Sequence, residues 1–252
     1  MDAIALETRL PEKDADVVVI GAGIVGLAAA HKLQSAGRSV ILIDRKGVAE
    51  ETSKGNAAAF AFSDILPLAS KGMLRKVPGW LLDPLGPLSI PPAYFLRILP
   101  WLIRFWRAGW PDRTAGSIAA QSAIMRLSAS EMAAMVEATG LGDMIRHDGS
   151  LELYESEAEF AASQAGWRAR TEAGIGFEHV RGDRLAELQP GLSARVVAGT
   201  FVPQWQTGSE PYRFARGVAR DRAAKGGRFI RAAGPQGAPC GDGPRSTLRD
   251  EP

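Results

Sequence analysis

Cysteine is nearly missing from this chain. Cys240 is the only one in 252 residues, which excludes an intramolecular disulfide framework and any cysteine-clustered metal site. The three histidines, His31, His147 and His179, lie far apart without ligand spacing, so no metal site is expected. Charge of one sign is also missing. With 30 Lys and Arg against 28 Asp and Glu the net charge is +2, so no basic excess marks a nucleic-acid partner. No apolar run is long and clean enough to span a bilayer. The nearest, Tyr94 to Trp110 (YFLRILPWLIRFWRAGW), is interrupted by Arg97, Arg104 and Arg107. Residues 1–13 carry Asp2, Glu7, Arg9, Glu12 and Lys13 and lack the apolar core of a secretory signal, so a cytoplasmic protein is the simplest expectation. What is plentiful is core material. A hydrophobic share of 46% with 23% charged residues reads as a globular chain of one large domain or two small ones.

The first fifty residues carry the strongest pattern. Asp16 to Ile20 (DVVVI) is the β-branched run of a buried parallel strand, and it leads directly into Gly21-Ala22-Gly23-Ile24-Val25-Gly26. Leu27 to Ala36 is rich in helix formers and stops at Gly37; a second buried run, Ser39 to Ile43, ends at Asp44. Each part of this βαβ half-unit has a physical role. Gly21 permits the tight turn, Gly23 lets a pyrophosphate approach the backbone, and Gly26 lets the helix pack closely on the sheet. Free N–H groups at the helix start, including those of Ala22, Ile24 and Val25, favour phosphate, and the helix dipole adds about 0.3–1 kcal/mol. Asp44, eighteen residues after Gly26, is placed to accept hydrogen bonds from an adenosine ribose. It would repel the 2′-phosphate of NADP, which leaves NAD and FAD open.

The segment after the second strand is a polar loop, where a simple NAD dehydrogenase would continue into another βα unit. Thr52, Ser53 and Asn56 can hydrogen-bond phosphate or ribityl oxygens, and the small residues 57–59 would let the backbone approach a flat ring; an ordinary surface loop is the alternative. The fingerprint ending in Ile43-Asp44-Arg45, the loop Thr52-Ser53-Lys54-Gly55-Asn56-Ala57-Ala58 and the strand Gly149-Ser150-Leu151-Glu152-Leu153-Tyr154 together resemble the D-amino-acid oxidase-type superfamily of FAD-dependent oxidoreductases, above all the bacterial D-amino-acid dehydrogenases. The likeness runs from about residue 15 to about 231. Its loop motif is T-S-x-x-N-A-G in the family, and Ala58 stands where the family usually has Gly, a small-for-small change not expected to abolish flavin approach.

The middle of the chain reads as mixed α and β. Arg97, Arg104 and Arg107 fall within an arc of about 80° on a helical wheel, so the aromatic segment is either an arm at a membrane interface or a helical arm with solvated arginines. Pro100 is expected to limit any long helix there. Gly116 to Thr139 reads as one long helix whose methionines are core, and Ser150 to Glu155 as a strand. A helix over about 157–173 follows, then strands at Phe177–Val180 and Val196–Val202. Asp183 reads as the N-cap of a short helix ending before Pro190. From Pro211 a helix should run to about Lys225, with Phe214 and Val218 buried and Arg213, Arg216 and Arg220 on another face; Arg228–Arg231 begins a strand. Residues 232–252 hold four glycines, four prolines and one large aliphatic residue, so disorder is expected. Off-frame sequence after a break near residue 231 is the expected cause, against a natural disordered terminus. Without the family's C-terminal half, poor solubility and weak or absent flavin retention are expected.

The resemblance implies an α/β fold: a Rossmann-like FAD-binding βαβ domain with an inserted mixed α+β substrate domain, incomplete at the C-terminus. The expected organisation is an extension over 1–14, the FAD-binding region over 15–75, a helical arm and partial substrate domain over 76–210, a returning helix and strand over 211–231, and the tail. The implied cofactor is FAD. Its contacts by position are Gly21, Ala22, Gly23, Ile24, Val25 and Gly26 at the pyrophosphate, Asp44 at the ribose, Arg45 near the adenine side, and Ser53, Asn56 and Ala57 toward the flavin. The implied reaction is oxidative deamination of a D-amino acid or related amine by hydride transfer to flavin. No catalytic residue is assigned. The alternatives are an inactive truncated remnant and an NAD-dependent dehydrogenase. Expected partners are the small-molecule substrate, no nucleic acid, and a peripheral membrane or electron-acceptor contact through 94–110 that would place the protein at the inner face of the membrane.

Overall fold

A computed structural model describes residues 15–69, 79 and 90–231. The expected extension over 1–14 and the tail over 232–252, with Cys240, lie outside the described residues. Two compact units divide the chain. One takes Met1–Phe60, Glu131–His147 and Gln206–Pro252, the other Ala61–Ser130 and Asp148–Trp205.

The first unit is built on the predicted βαβ. Strand β1 (Val17–Ile20) leads to helix α1 (Ile24–Ser35) and then to β2 (Val40–Asp44). β2 lies at the centre of a parallel sheet between β1 and β9 (Arg228–Arg231), with Val17 opposite Val40 and Ile41 opposite Arg228. β2 is buried from Val40 to Ile43, as a doubly covered parallel strand should be. β1 departs from that expectation, because Val18 and Ile20 are 51% and 86% exposed while Val17 and Val19 pack against the core. The core of this unit joins Leu27 and Ala30 of α1, Val40 and Leu42, Phe229, Met135, and the face of helix α6 (Pro211–Ala224) that carries Phe214, Ala215, Val218 and Ala219. Pro211 does open α6, and the Glu210 side chain accepts from the amides of Tyr212 and Arg213.

A second, antiparallel sheet in this unit was not legible in the sequence. It pairs β3 (Ala59–Phe60) and β4 (Ile145–Arg146) with the central β8 (Gln206–Gly208). Strands of two or three residues are too short for alternation to show. Arg222 also escaped the sequence reading. It is fully buried, donating to the carbonyl of Val40 at 2.5 Å and that of Arg228 at 3.2 Å, with its guanidinium over the Phe229 ring. It therefore joins β2 and β9 at their N-terminal ends.

The second unit carries an antiparallel sheet in which β7 (Ala198–Val202) lies between β5 (Ser150–Tyr154) and β6 (Glu178–Val180). Helix α4 (Glu157–Glu172) packs on it through Trp167, whose indole N–H donates to the Tyr154 hydroxyl at 2.8 Å. α4 starts at Ser156, which accepts from the Glu159 amide while the Glu159 carboxylate accepts from the Glu155 amide, a variant of the capping box. Three sequence expectations need correction here. Asp183 does not cap α5 (Gly182–Leu188); the N-cap is Arg181, and Asp183 lies in the first turn, where its charge still meets the positive end of the helix. Pro100 does not stop α2, which runs from Phe95 to Ala108. The residue whose carbonyl loses its amide partner is Leu96, 78% exposed, so water is at hand. The long helix α3 spans Pro111–Thr139, five residues more than expected, because Pro111 suits a first helical position.

Two histidines resist protonation in the fold. Burial pushes the His31 imidazole below its ordinary pKa of about 6.5 against the opposing pull of Asp221, and burial followed by the Arg181 charge does the same to His179. A folded-state value below the unfolded one means that the unfolded chain binds more protons in that window. Their stabilising contribution is therefore present above about pH 6.5 and lost as the pH falls toward the folded values. The urea midpoint should accordingly decline from pH 7 to pH 5, and His31→Gln should flatten part of that slope. A slope unchanged by His31→Gln would contradict this account.

Candidate functional site

The glycine fingerprint lies at the C-terminal end of β1, and each glycine meets a separate constraint. Gly21 has a φ of +103° and donates its amide to the Ile43 carbonyl at 2.7 Å, turning the chain out of β1 while still tied to β2. Gly26 faces that same turn. A Cβ there would lie 1.9 Å from the Gly21 carbonyl oxygen and 3.4 Å from Val19, so only hydrogen fits where α1 crosses the loop.

Helix α1 opens with unclaimed donors. Gly23, in extended conformation, is the N-cap and has no side chain to offer; the first turn contains no acidic residue. The Ile24 amide is taken by the Ser53 hydroxyl at 2.8 Å, contributed from 29 residues further along. The amides of Val25 and Gly26 have no acceptor inside the helix, and Val25 is exposed. Ser53 is itself buried, and its own O–H proton is left available to donate.

Asp44 binds the loop from the other side. Its Oδ2 accepts from the Ala22 amide at 2.8 Å, and its Oδ1 accepts from the amides of Lys46 at 2.8 Å and Gly47 at 2.9 Å. Burial works to raise the pKa of this carboxyl, but the bonds from Ala22, Gly47 and Lys46, together with the Arg45 charge, hold it below the ordinary carboxylate range. Three of about four acceptor positions are thus used by the backbone, and one is left open. Arg45 is exposed and paired with Glu51 at 2.6 Å, a carboxylate that also meets Lys46.

Asn56 and Ala57 form the outer part of the loop. The Asn56 amide group donates to the Ser53 carbonyl at 3.2 Å, and its Oδ1 accepts from the Ala58 amide at 2.7 Å, so this side chain is used in shaping the turn. Ala57 is exposed. The structure therefore joins Gly21–Gly26, Asp44 and Ser53 by direct bonds, while Arg45, Asn56 and Ala57 sit on the adjoining loop. Glu50, Lys54 and Tyr212, which border this loop, were given no role of their own in the sequence, and Arg216 was read only as part of a basic helix face; the one available signal was Pro211 placing Tyr212 in the first turn of a helix.

A family profile described as DAO, FAD dependent oxidoreductase, matches residues 16–238. The chain belongs to this family. The NAD-dependent alternative is thereby overturned. This FAD-dependent oxidoreductase family member is 30% identical over 219 residues to a D-amino-acid oxidase of Bradyrhizobium diazoefficiens, covering 86% of this chain and 52% of that protein. To a D-amino acid dehydrogenase of Sinorhizobium medicae it is 32% identical over 207 residues, covering 81% and 50%. It thus spans about half the length of the curated relatives it matches. Among solved structures, the glycine oxidase from Bacillus cereus superposes with a TM-score of 0.52 at 19% identity, over 86% of this chain and 46% of that one. The L-proline dehydrogenase from P. horikoshii gives 0.56 at 17%, over 88% and 45%. These likenesses show a shared mixed α/β fold.

The residues present fit the cofactor of the family. A pyrophosphate needs backbone donors without Cβ obstruction, and the open first-turn amides beside Gly21 and Gly23 provide them. One departure from the family pattern has a measurable consequence. Ala58 has a φ of +49°, a left-handed conformation that costs an L-residue about 1–2 kcal/mol and glycine little. Ala58→Gly should therefore raise stability by about 0.5–1 kcal/mol after the entropy of the more flexible unfolded chain is deducted, read as a higher urea midpoint. A lowered midpoint would show that the conformation is not strained.

Proposed function

We propose that this chain supplies the FAD-binding part of an oxidoreductase acting on a D-amino acid or a related amine. The observation that carries the reading is the set of first-turn amides of α1, opened by Gly21 and Gly23 and fixed by Asp44 and Ser53. Gly21–Gly26 hold the pyrophosphate, the remaining acceptor position of Asp44 takes a ribose hydroxyl, and Arg45 borders the adenine side. Ser53, Asn56 and Ala57 face the flavin side. FAD, when bound, supplies the acceptor for the hydride equivalent leaving the substrate Cα–H. The substrate class is supported by the names of the curated relatives. Titrating the purified chain with FAD should quench flavin fluorescence saturably, and Asp44→Ala should weaken that binding about ten-fold or more, as expected for loss of a charged acceptor. Oxidation of D-amino acids by the flavin-loaded protein, with an artificial electron acceptor, tests the substrate class. No saturable quenching at any FAD concentration would overturn the binding reading.

A contact with an anionic membrane surface is the second reading, supported by α2. Among the described residues no helix is long and apolar enough to cross a membrane. On α2 and the turn after it, however, Leu96, Ile103, Trp106 and Trp110 are all exposed along one side. Arg97, Arg104 and Arg107 adjoin that stripe, and no residue of α2 is buried. Solvated arginines alone would not require four exposed apolar neighbours; an interfacial helix does. The chain should sediment with vesicles containing phosphatidylglycerol and not with neutral phosphatidylcholine vesicles, and Trp106→Ser with Ile103→Ser should abolish this. Equal sedimentation with both vesicle types would rule out an electrostatic contribution.

A further inference from the structure

The segment that carries Ser53 is held in place by contacts outside the fingerprint. Glu50 accepts the Tyr212 O–H at 2.5 Å and the Lys54 ammonium at 3.2 Å. Arg216, one turn along α6, donates to the same Tyr212 hydroxyl at 2.9 Å. The Tyr212 ring is also approached by the Lys54 ammonium at 4.9 Å and the Arg216 guanidinium at 5.4 Å. Tyr212 is fixed in turn by Glu210, which accepts from its backbone amide at 3.1 Å. A single phenol thus connects α6 to the loop, receiving from one side and donating to the other.

The loop needs such a fastening. Gly47, Ala49 and Ala58 all have positive φ, at +124°, +60° and +49°, and two of them are not glycine. Backbone of this kind persists only where the surroundings hold it. Ser53 lies inside a short 3₁₀ turn, Thr52–Lys54, that starts two residues after Glu50 and in which the Lys54 amide donates to the Glu51 carbonyl at 2.9 Å. A displacement of Glu50 is therefore carried to Ser53 with little slack. Ser53 in turn accepts from the Ile24 amide, and its oxygen lies 3.1 Å from where a Gly23 Cβ would be, so its position borders the pyrophosphate cradle directly.

We propose that Tyr212 is a positioning residue for the cofactor site: with Glu50 it latches segment 50–58 to α6 and so keeps the Ser53 hydroxyl against the start of α1. The latch rests on the FAD-binding reading and adds to it a residue some 190 positions away from the fingerprint. Its effect on binding is preorganisation: a loop already in the bound arrangement loses less conformational freedom when the ligand arrives.

The test compares the full chain with Tyr212→Phe, Glu50→Ala and the double variant. Without flavin, hydrogen exchange should rise about ten-fold in peptides covering 50–58 and at the Ile24 amide, while the interiors of α6 and β2 exchange as before. The FAD dissociation constant should rise about ten-fold in each single variant. The double variant should be no weaker than either single one, since both remove the same connection. If Tyr212→Phe does not fold, Glu50→Ala reads the same contact from the loop side. Exchange unchanged over 50–58, or raised equally throughout the unit, overturns the latch. So do losses that multiply in the double variant. A wild-type chain that takes up no FAD overturns the cofactor reading instead, and the exchange comparison then decides the latch alone.

Discussion

The Asp44 carboxylate is the junction on which the first unit depends. It accepts from Ala22 on the loop after β1 and from Lys46 and Gly47 on the turn after β2, so two chain segments leaving the sheet are held at one point. Charge-assisted bonds of this kind are roughly twice as strong as neutral ones, and three converge here in a partly buried place. The geometry of the glycine loop follows. With Ala22 held to Asp44 and Gly21 held to Ile43, the start of α1 has one direction in which to point, and its amides emerge at the edge of the sheet.

That much of the site could be read from residue types and spacing, because each of its parts answers a local demand. A turn of positive φ requires Gly21, a carbonyl oxygen 1.9 Å from where a Cβ would stand requires Gly26, and a short acid at the end of β2 reaches the loop beside it. The helices starting at Glu157 and Pro211 were legible for a similar reason, since Ser156 and Pro211 mark their first turns. Contacts formed between distant segments left no such trace. Arg222 reads as one of several arginines on a charged helix, yet among the described residues it is the largest of the fully buried side chains. Tyr212 gives no hint of Glu50, 162 residues earlier. The strands β3, β4 and β8 exist only through pairing with one another.

One of the three motifs behind the resemblance to FAD-dependent oxidoreductases is a loop with one substitution, and the fold explains what glycine does at that position. Ala58 lies in left-handed backbone, its amide is held by Asn56, and its carbonyl accepts from Gly208 at 2.7 Å. Gly208 has no room for a side chain, because a Cβ there would come 2.9 Å from that of Ala58. A small residue at 58 is thus demanded by the sheet beneath as well as by any ring above. Alanine satisfies the demand for space and leaves the demand on φ unmet.

Arg222 ties one end of the parallel ladder. Its guanidinium grips the carbonyls at the beginnings of β2 and β9, and at the far end the ladder pairs Asp44 with Arg231. The Val40 end of this strand pair therefore holds with a side-chain tie added to the ladder. On the FAD-binding reading Asp44, at the other end, meets the ribose, so a dinucleotide held there would tie the end of the ladder that Arg222 does not reach.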